Sequence, residues 1–180
     1  MNPPAWPSAT ELQTHRLVLE PLRVAHAEQA ATAFADQTLH RYTGGHPATA
    51  DELQQRYARQ VVGHSPDGQH GWLNWMLRER RSDQLVGTLQ ATISQAADGS
   101  RSAELAWVVV DAHQGQRLAA EAATAAAAWI SDQGTAVLVA HVHPDNVASA
   151  ATAHRLGMTP TPALVDGEVE WRGSLASPSC

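Results

Sequence analysis

The sequence predicts an α/β (α+β) sandwich in which antiparallel strands are joined by one strand–helix–strand unit, and three observations carry that reading. Trp72–Arg80, Leu85–Ser94 and Ala103–Val110 are apolar, partly alternating runs linked by short turns at Ser82-Asp83 and Asp98-Gly99, the pattern of an antiparallel meander. Gly115–Ser131 is long, rich in alanine and free of proline, and a short β-branched run, Ala136–Val142, follows it, so a helix leads into a buried strand. Asp166-Gly167 stands between Ala163–Val165 and Glu168–Trp171, a strong signal for a tight hairpin.

The remaining elements follow in order. Residues 1–9 are rich in proline and read as an N-terminal arm; residues 10–175 read as a single domain and 176–180 as a tail. The stretch from Leu12 to Leu22 suits a strand stopped by Pro21. Val24–Asp36 reads as an alanine-rich helix, and Gly44-Gly45-His46-Pro47 breaks the chain after it. Thr49 is placed to cap the next helix, with Glu52 three residues on as its reciprocal partner. Gly63–Gly71 is a polar loop, and Asn146–Leu156 a short helix ended by Gly157.

Composition excludes several classes. With 180 residues and 43% hydrophobic residues the chain is long and apolar enough to bury a core of its own. Twelve basic residues against eighteen acidic ones give a net charge of -6, which argues against holding nucleic acid or anionic membrane through a broad basic face. A single cysteine, Cys180, allows no internal disulfide and suits a reducing compartment. The N-terminal residues have no basic and apolar regions of a secretory signal, and no apolar run approaches the roughly 20 residues of a membrane helix, so a cytoplasmic protein is expected. Every basic residue is arginine, which leaves no lysine for Schiff-base chemistry.

Two segments carry chemistry. From Val108 to Glu121 a hydrophobic strand ends in a turn containing Gly115 and a long helix begins, so unpaired N–H groups and the positive end of the helix dipole could receive a phosphate. Many such turns bind nothing. In His143-Pro144-Asp145-Asn146-Val147-Ala148-Ser149, Asn146 and Ser149 share a helix face, although Asp145 or Asn146 could equally be a plain helix cap.

Taken together, these segments resemble the GNAT superfamily of acyl-CoA-dependent N-acetyltransferases. Gln114 and Ala119 match the ends of its acyl-CoA-binding signature, Gly115 matches the glycine of a common variant, and Arg117 stands where the inner glycine is usual. Asn146 through Ser149 to Leu156-Gly157-Met158 resembles the second motif. Thr14–Leu22 and Ala103–Val109 look like the subfamily that includes ribosomal-protein N-terminal acetyltransferases and some antibiotic acetyltransferases. The resemblance runs from about Leu12 to about Gly173.

It implies a mixed, mostly antiparallel sheet with helices on both faces, splayed between its fourth and fifth strands, here near Val108 and Val139, with acetyl-CoA entering the gap. Backbone groups of Trp107, Val108, Val109 and Val110 would meet the pantetheine, the amides of Gln114, Gly115, Gln116, Arg117, Leu118 and Ala119 the pyrophosphate, and the Asn146 side chain the pantetheine again. Arg117 could add a charged phosphate contact. The amine attacks the thioester directly, so the protein supplies proximity, a base and oxyanion stabilisation. Glu104 matches the subfamily's base; the tyrosine that often protonates the leaving thiolate is replaced by Ala153, leaving Ser149 as the substitute.

Tyr42 and Trp72 are expected to bind the acceptor, with Trp72 and Trp107 flanking its side. His141 and His143 lie two apart in a strand and read as structural or acceptor-side residues rather than metal ligands, because no third ligand is near; His113, beside the phosphate turn, is the histidine most open to a role. The acceptor expected first is a small cationic amine of aminoglycoside type, met by an acidic acceptor side. The alternatives are a protein N-terminus, such as that of a ribosomal protein, and a non-catalytic acyl-CoA-binding domain. No nucleic acid or membrane partner is expected, and a homodimer is allowed.

Overall fold

The computed structural model describes residues 6–42 and 45–175, so the expectations for Met1–Ala5, Gly44 and the tail with Cys180 lie outside the described residues. The single strand expected from Leu12 becomes two, β1 (Leu12–Gln13) and β2 (Leu17–Pro21). Thr14 is the cause: its amide donates to the Leu17 carbonyl and its hydroxyl oxygen accepts from the Leu17 amide, both at 2.9 Å, and these bonds fold the chain back so that Leu12 faces Leu19.

The helix expected over Val24–Asp36 is shorter. A 3-10 turn, Val24–His26, leads into α1 (Ala27–Ala33), and a second turn covers Gln37–His40. Asp36 competes for the backbone here, its carboxylate accepting from the Thr38 amide at 2.9 Å, and so starts a new turn instead of extending the helix. By contrast, α2 (Ala50–Gln60) begins as its sequence dictates, with Glu52 N donating to Thr49 Oγ1 and Thr49 N donating to Glu52 Oε2.

The meander forms as β3 (His70–Glu79), β4 (Leu85–Gln95) and β5 (Arg101–Val109). α3 (Leu118–Asp132), β6 (Val137–Val142), α4 (Val147–Arg155) and the hairpin β7 (Thr159–Val165) and β8 (Glu168–Ser174) complete the chain. The eight strands form one sheet in the order β1-β2-β3-β4-β5-β6-β8-β7, and β5–β6 is its only parallel pair among the described residues.

Alternation along the strands divides the sheet into two faces. Leu73, Trp75, Leu89, Ile93, Leu105, Leu138 and Ala140 form the main core with Leu118, Ala122, Ala123, Ala126 and Ile130 of α3 and Ala153 of α4. The alanines bring α3 close to the sheet, while each fully buried Leu or Ile contributes about 1.5–3 kcal/mol. On the opposite face Ala27, Ala30, Leu53, Tyr57, Met76 and Leu85 make a smaller core under α1 and α2. Trp6 in the arm also packs on the main core, and its indole N–H donates to the Gly68 carbonyl at 3.1 Å. Among the described residues no helix is long and apolar enough to cross a membrane.

Candidate active site

β5 and β6 pair at Ser102↔Val137, Ala103↔Leu138 and Glu104↔Val139, and there the pairing stops. β5 continues to Val109 with its other edge still bonded to β4, so the backbone from Leu105 to Val109 faces a gap. The two-residue β1 shifts the numbering: the fork expected between the fourth and fifth strands lies between β5 and β6.

A cavity of about 910 Å³ opens into this fork. Trp107, Val108, Val109, Gln114, Gly115, Arg117, Leu118, Ala119, Asn146 and Ser149 line it, whereas Val110 and Gln116 do not. The helix expected from Gly115 starts instead at Leu118, because Gly115 and Arg117 both have left-handed backbone, at φ 73° and 64°. That conformation is natural for glycine and costly for arginine, and it holds the segment before α3 as a curled turn. Gln114 braces the turn by donating its side-chain amide to the Val109 carbonyl at 3.0 Å and to Asp111 Oδ1 at 2.8 Å. Arg117 and Arg155, also on the wall, form no ion pair among the described residues, so the cavity presents free cations beside a helix start. The unpaired β5 edge, the curled turn and these cations fit a long ligand with a peptide-like arm and a phosphorylated end.

Asn146 caps α4, its Oδ1 accepting from the Ser149 amide at 3.0 Å, which leaves its NH2 group free to donate. Ala153, where a tyrosine would stand, is wholly buried in the core.

Tyr42 lies elsewhere than expected. It lines the cofactor-sized cavity, its hydroxyl donating to the Asp145 carbonyl at 3.3 Å and its ring 5.4 Å from that of His143. From the same segment the Thr38 hydroxyl donates to Asp111 Oδ2 at 2.6 Å. Thr38, in the 3-10 turn, and Tyr42, just after it, therefore bridge both lips of the fork, a contact that depends on tertiary placement and had no local signal in the sequence.

A second groove, of about 720 Å³, runs between α2 and the sheet and meets the first cavity at Leu39, Trp107 and Val108. Asn74, Gln90, Thr88 and Ala106 form its floor. Tyr57, on its wall, keeps its proton, since burial pushes the phenol up to about 12. The groove is not the acidic wall expected: its charged residues are Glu52, Arg56, Arg59 and His46, and the Glu52 carboxylate is already engaged by Thr49.

Trp72, Thr92 and Glu104 are successive cross-strand partners on this same face of β3, β4 and β5, which sets Trp72 about 10 Å from Glu104. Trp72 lines neither cavity, whereas Trp107 packs on the main core and lines both. Glu104 stands at the point of the fork, 54% exposed, with His141 Nδ1 3.1 Å from its Oε1. Glu170 had no place among the expected site residues, and His141 was expected only as a structural or acceptor-side residue; its i, i+2 spacing from His143 was the available signal. Among the described residues no group of three or more His, Cys, Asp or Glu is arranged to hold a metal ion.

Residues 16–159 match the acetyltransferase (GNAT) domain family. The chain belongs to the GNAT acetyltransferases. It is an acyltransferase enzyme, and acetyl-CoA is its acyl donor. Its fold is similar to that of the acetyltransferase from Agrobacterium tumefaciens strain C58, at 27% identity and TM-score 0.67 over 94% of this chain and 97% of that one. It is also similar to ribosomal-protein-S5-alanine acetyltransferase from Vibrio fischeri, at 14% identity and TM-score 0.71 over 92% and 97%. A third likeness is to microcin C7 self-immunity acetyltransferase MccE, solved with acetyl-CoA and AMP, at 13% identity and TM-score 0.72 over 90% and 94%. No curated protein matches the chain in sequence.

Proposed function

We propose that this GNAT enzyme acetylates a primary amine of a small molecule, with a cationic, sugar-bearing amine of aminoglycoside type as the acceptor. The observation that carries the reading is Glu104: a carboxylate on the groove face, at the residue where β5 and β6 part. Acetyl-CoA supplies an activated acetyl thioester. The β5 edge from Trp107 to Val109 and the Asn146 amide orient its pantetheine, and the turn from Gln114 to Ala119 holds its phosphates, with the Arg117 and Arg155 guanidinium groups alongside.

An ammonium has no free lone pair, so the incoming amine gives a proton to Glu104 before it attacks. Glu104 and Glu170 supply the negative charge that a cationic amine meets at the fork, and Trp72 on the same sheet face offers a surface for a sugar ring. Arg56 and Arg59 favour an acceptor whose far end carries hydroxyl or anionic groups. Ser149, on the cavity wall three residues after Asn146 and one helical turn before Ala153, donates a hydrogen bond to the leaving thiolate; Thr152, next to Ala153, already spends its hydroxyl on the Ala148 carbonyl.

The test is thiol release from acetyl-CoA on addition of kasugamycin, kanamycin, gentamicin and simple amines. Amine-dependent release with a sugar-bearing amine supports the reading, and none with any of them ends it. Fold likeness to an S5-alanine acetyltransferase makes a protein N-terminus the second acceptor to try, read by mass spectrometry of acetylated peptides. Acetyl-CoA binding with no acceptor in an extract would identify a non-catalytic domain instead.

A further inference from the structure

We infer that His141 is the positioning residue for Glu104, held between two carboxylates so that one oxygen of Glu104 stays turned toward the acceptor amine. The inference rests on the role proposed for Glu104 and adds a second residue to that site. β6 places His141 on the groove face because its neighbours Ala140 and Val142 belong to the main core. Glu104 comes from β5 on one side and Glu170 from β8 on the other, where it pairs directly with His141.

The contacts define the proton arrangement. Glu104 Oε1 lies 3.1 Å from His141 Nδ1, and an ionised carboxylate only accepts, so Nδ1 carries the hydrogen and donates. His141 Nε2 is buried without a hydrogen-bond partner and lies 3.9 Å from Glu170 Oε2, too far for a hydrogen bond. Glu170 is itself fixed by Arg172, whose Nε donates to its Oε1 at 2.9 Å, and by the Thr161 hydroxyl at 3.4 Å. The next titratable side chain along the chain is His143, just past the end of β6. With Oε1 occupied by His141, Oε2 of Glu104 is the oxygen left to take the proton from the amine. The ring is 18% exposed against 54% for the glutamate, so a sheltered imidazole anchors an otherwise solvent-swept side chain.

The experiment compares His141→Ala with His141→Asn, since the Asn side-chain NH2 falls near the place of Nδ1. In the acetylation assay, loss of the anchor in His141→Ala should lower kcat roughly a hundredfold, the effect of misplacing a reacting group, with the KM for acetyl-CoA unchanged. His141→Asn should recover most of kcat. Equal kcat in wild type and His141→Ala, or equal losses in both variants, would overturn the inference. A crystal structure of His141→Ala supplies a readout that needs no acceptor: the Glu104 carboxylate should lose its single position, and one unchanged position would overturn the inference by itself. Wild type failing to turn over any amine would instead count against the proposed function, and the crystallographic comparison would still decide the role of His141.

Discussion

Glu104 and Val139 are the last paired residues of β5 and β6; one residue further on, the two strands no longer share a hydrogen bond. A proton acceptor is thereby set where the backbone edge of β5 becomes free for a ligand. Glu104→Gln keeps the size and the acceptor oxygen but cannot take a proton. We expect kcat to fall about 10²- to 10⁴-fold, the range of general base catalysis, with the Kd for acetyl-CoA unchanged by calorimetry. Unchanged turnover would remove Glu104 as the base.

Gly87 controls the same strand from its other side. A Cβ at this position would lie 2.3 Å from the Val108 carbonyl oxygen, backbone against side chain, with Leu77 behind it. Gly87→Ala therefore has to push β5 away from β4 at Val108, on the wall of the cofactor cavity. Loss of about 1–3 kcal/mol of stability is expected, the usual cost of overpacking, together with weaker acetyl-CoA binding. A variant that binds acetyl-CoA as tightly as wild type would show that Val108 does not touch the donor.

Arg117 separates backbone from side-chain effects. Its left-handed conformation, at φ 64°, costs an ordinary residue roughly 1–2 kcal/mol that glycine does not incur, part of which glycine returns through its greater freedom when unfolded. Arg117→Gly should raise the thermal midpoint slightly and weaken binding of acetyl-CoA, with a smaller effect on a pantetheine fragment that lacks phosphates. Equal effects on both ligands would exclude a phosphate contact.

These sites differ in how far the sequence discloses them. The start of α2 was legible because Thr49 and Glu52 satisfy each other within one turn and need nothing from the rest of the fold. The start of α3 was misread by three residues, since nothing local distinguishes a left-handed Arg117 from a first helical residue. The fork and Glu104 were legible only through resemblance to a family. The partnership of Glu104 with His141 depends on register between β5 and β6, and that of Tyr42 with Asp145 on how a loop crosses the fork; both lie beyond any periodicity in the chain. Charge misled in a different way: a net -6 says nothing of where the charge goes, and the groove received Arg56 and Arg59.

The acid sensitivity of the fold should centre on Glu121. This residue, in the first turn of α3, accepts from the Thr14 hydroxyl at 2.6 Å, the Arg16 amide at 2.8 Å and Arg16 Nε at 2.7 Å, so it ties the β1–β2 bend to the helix that carries the cofactor turn. Burial alone would push its carboxyl up, but these donors and the Arg16 charge outweigh it and hold it below the usual glutamate value. A carboxyl lowered on folding stabilises fully above its unfolded pKa, and that contribution disappears as pH falls through the lowered folded value. Glu121→Gln should therefore cost roughly 1.5 kcal/mol near neutral pH, at the low end for bonds to a charged group because Arg16 is over a third exposed. For a chain of this length that is a fall of about 3–6 °C in Tm. The gap between wild type and variant should close as the pH is lowered through the acid range, and a gap that stays constant there would show that the Glu121 charge is not what holds the bend to α3.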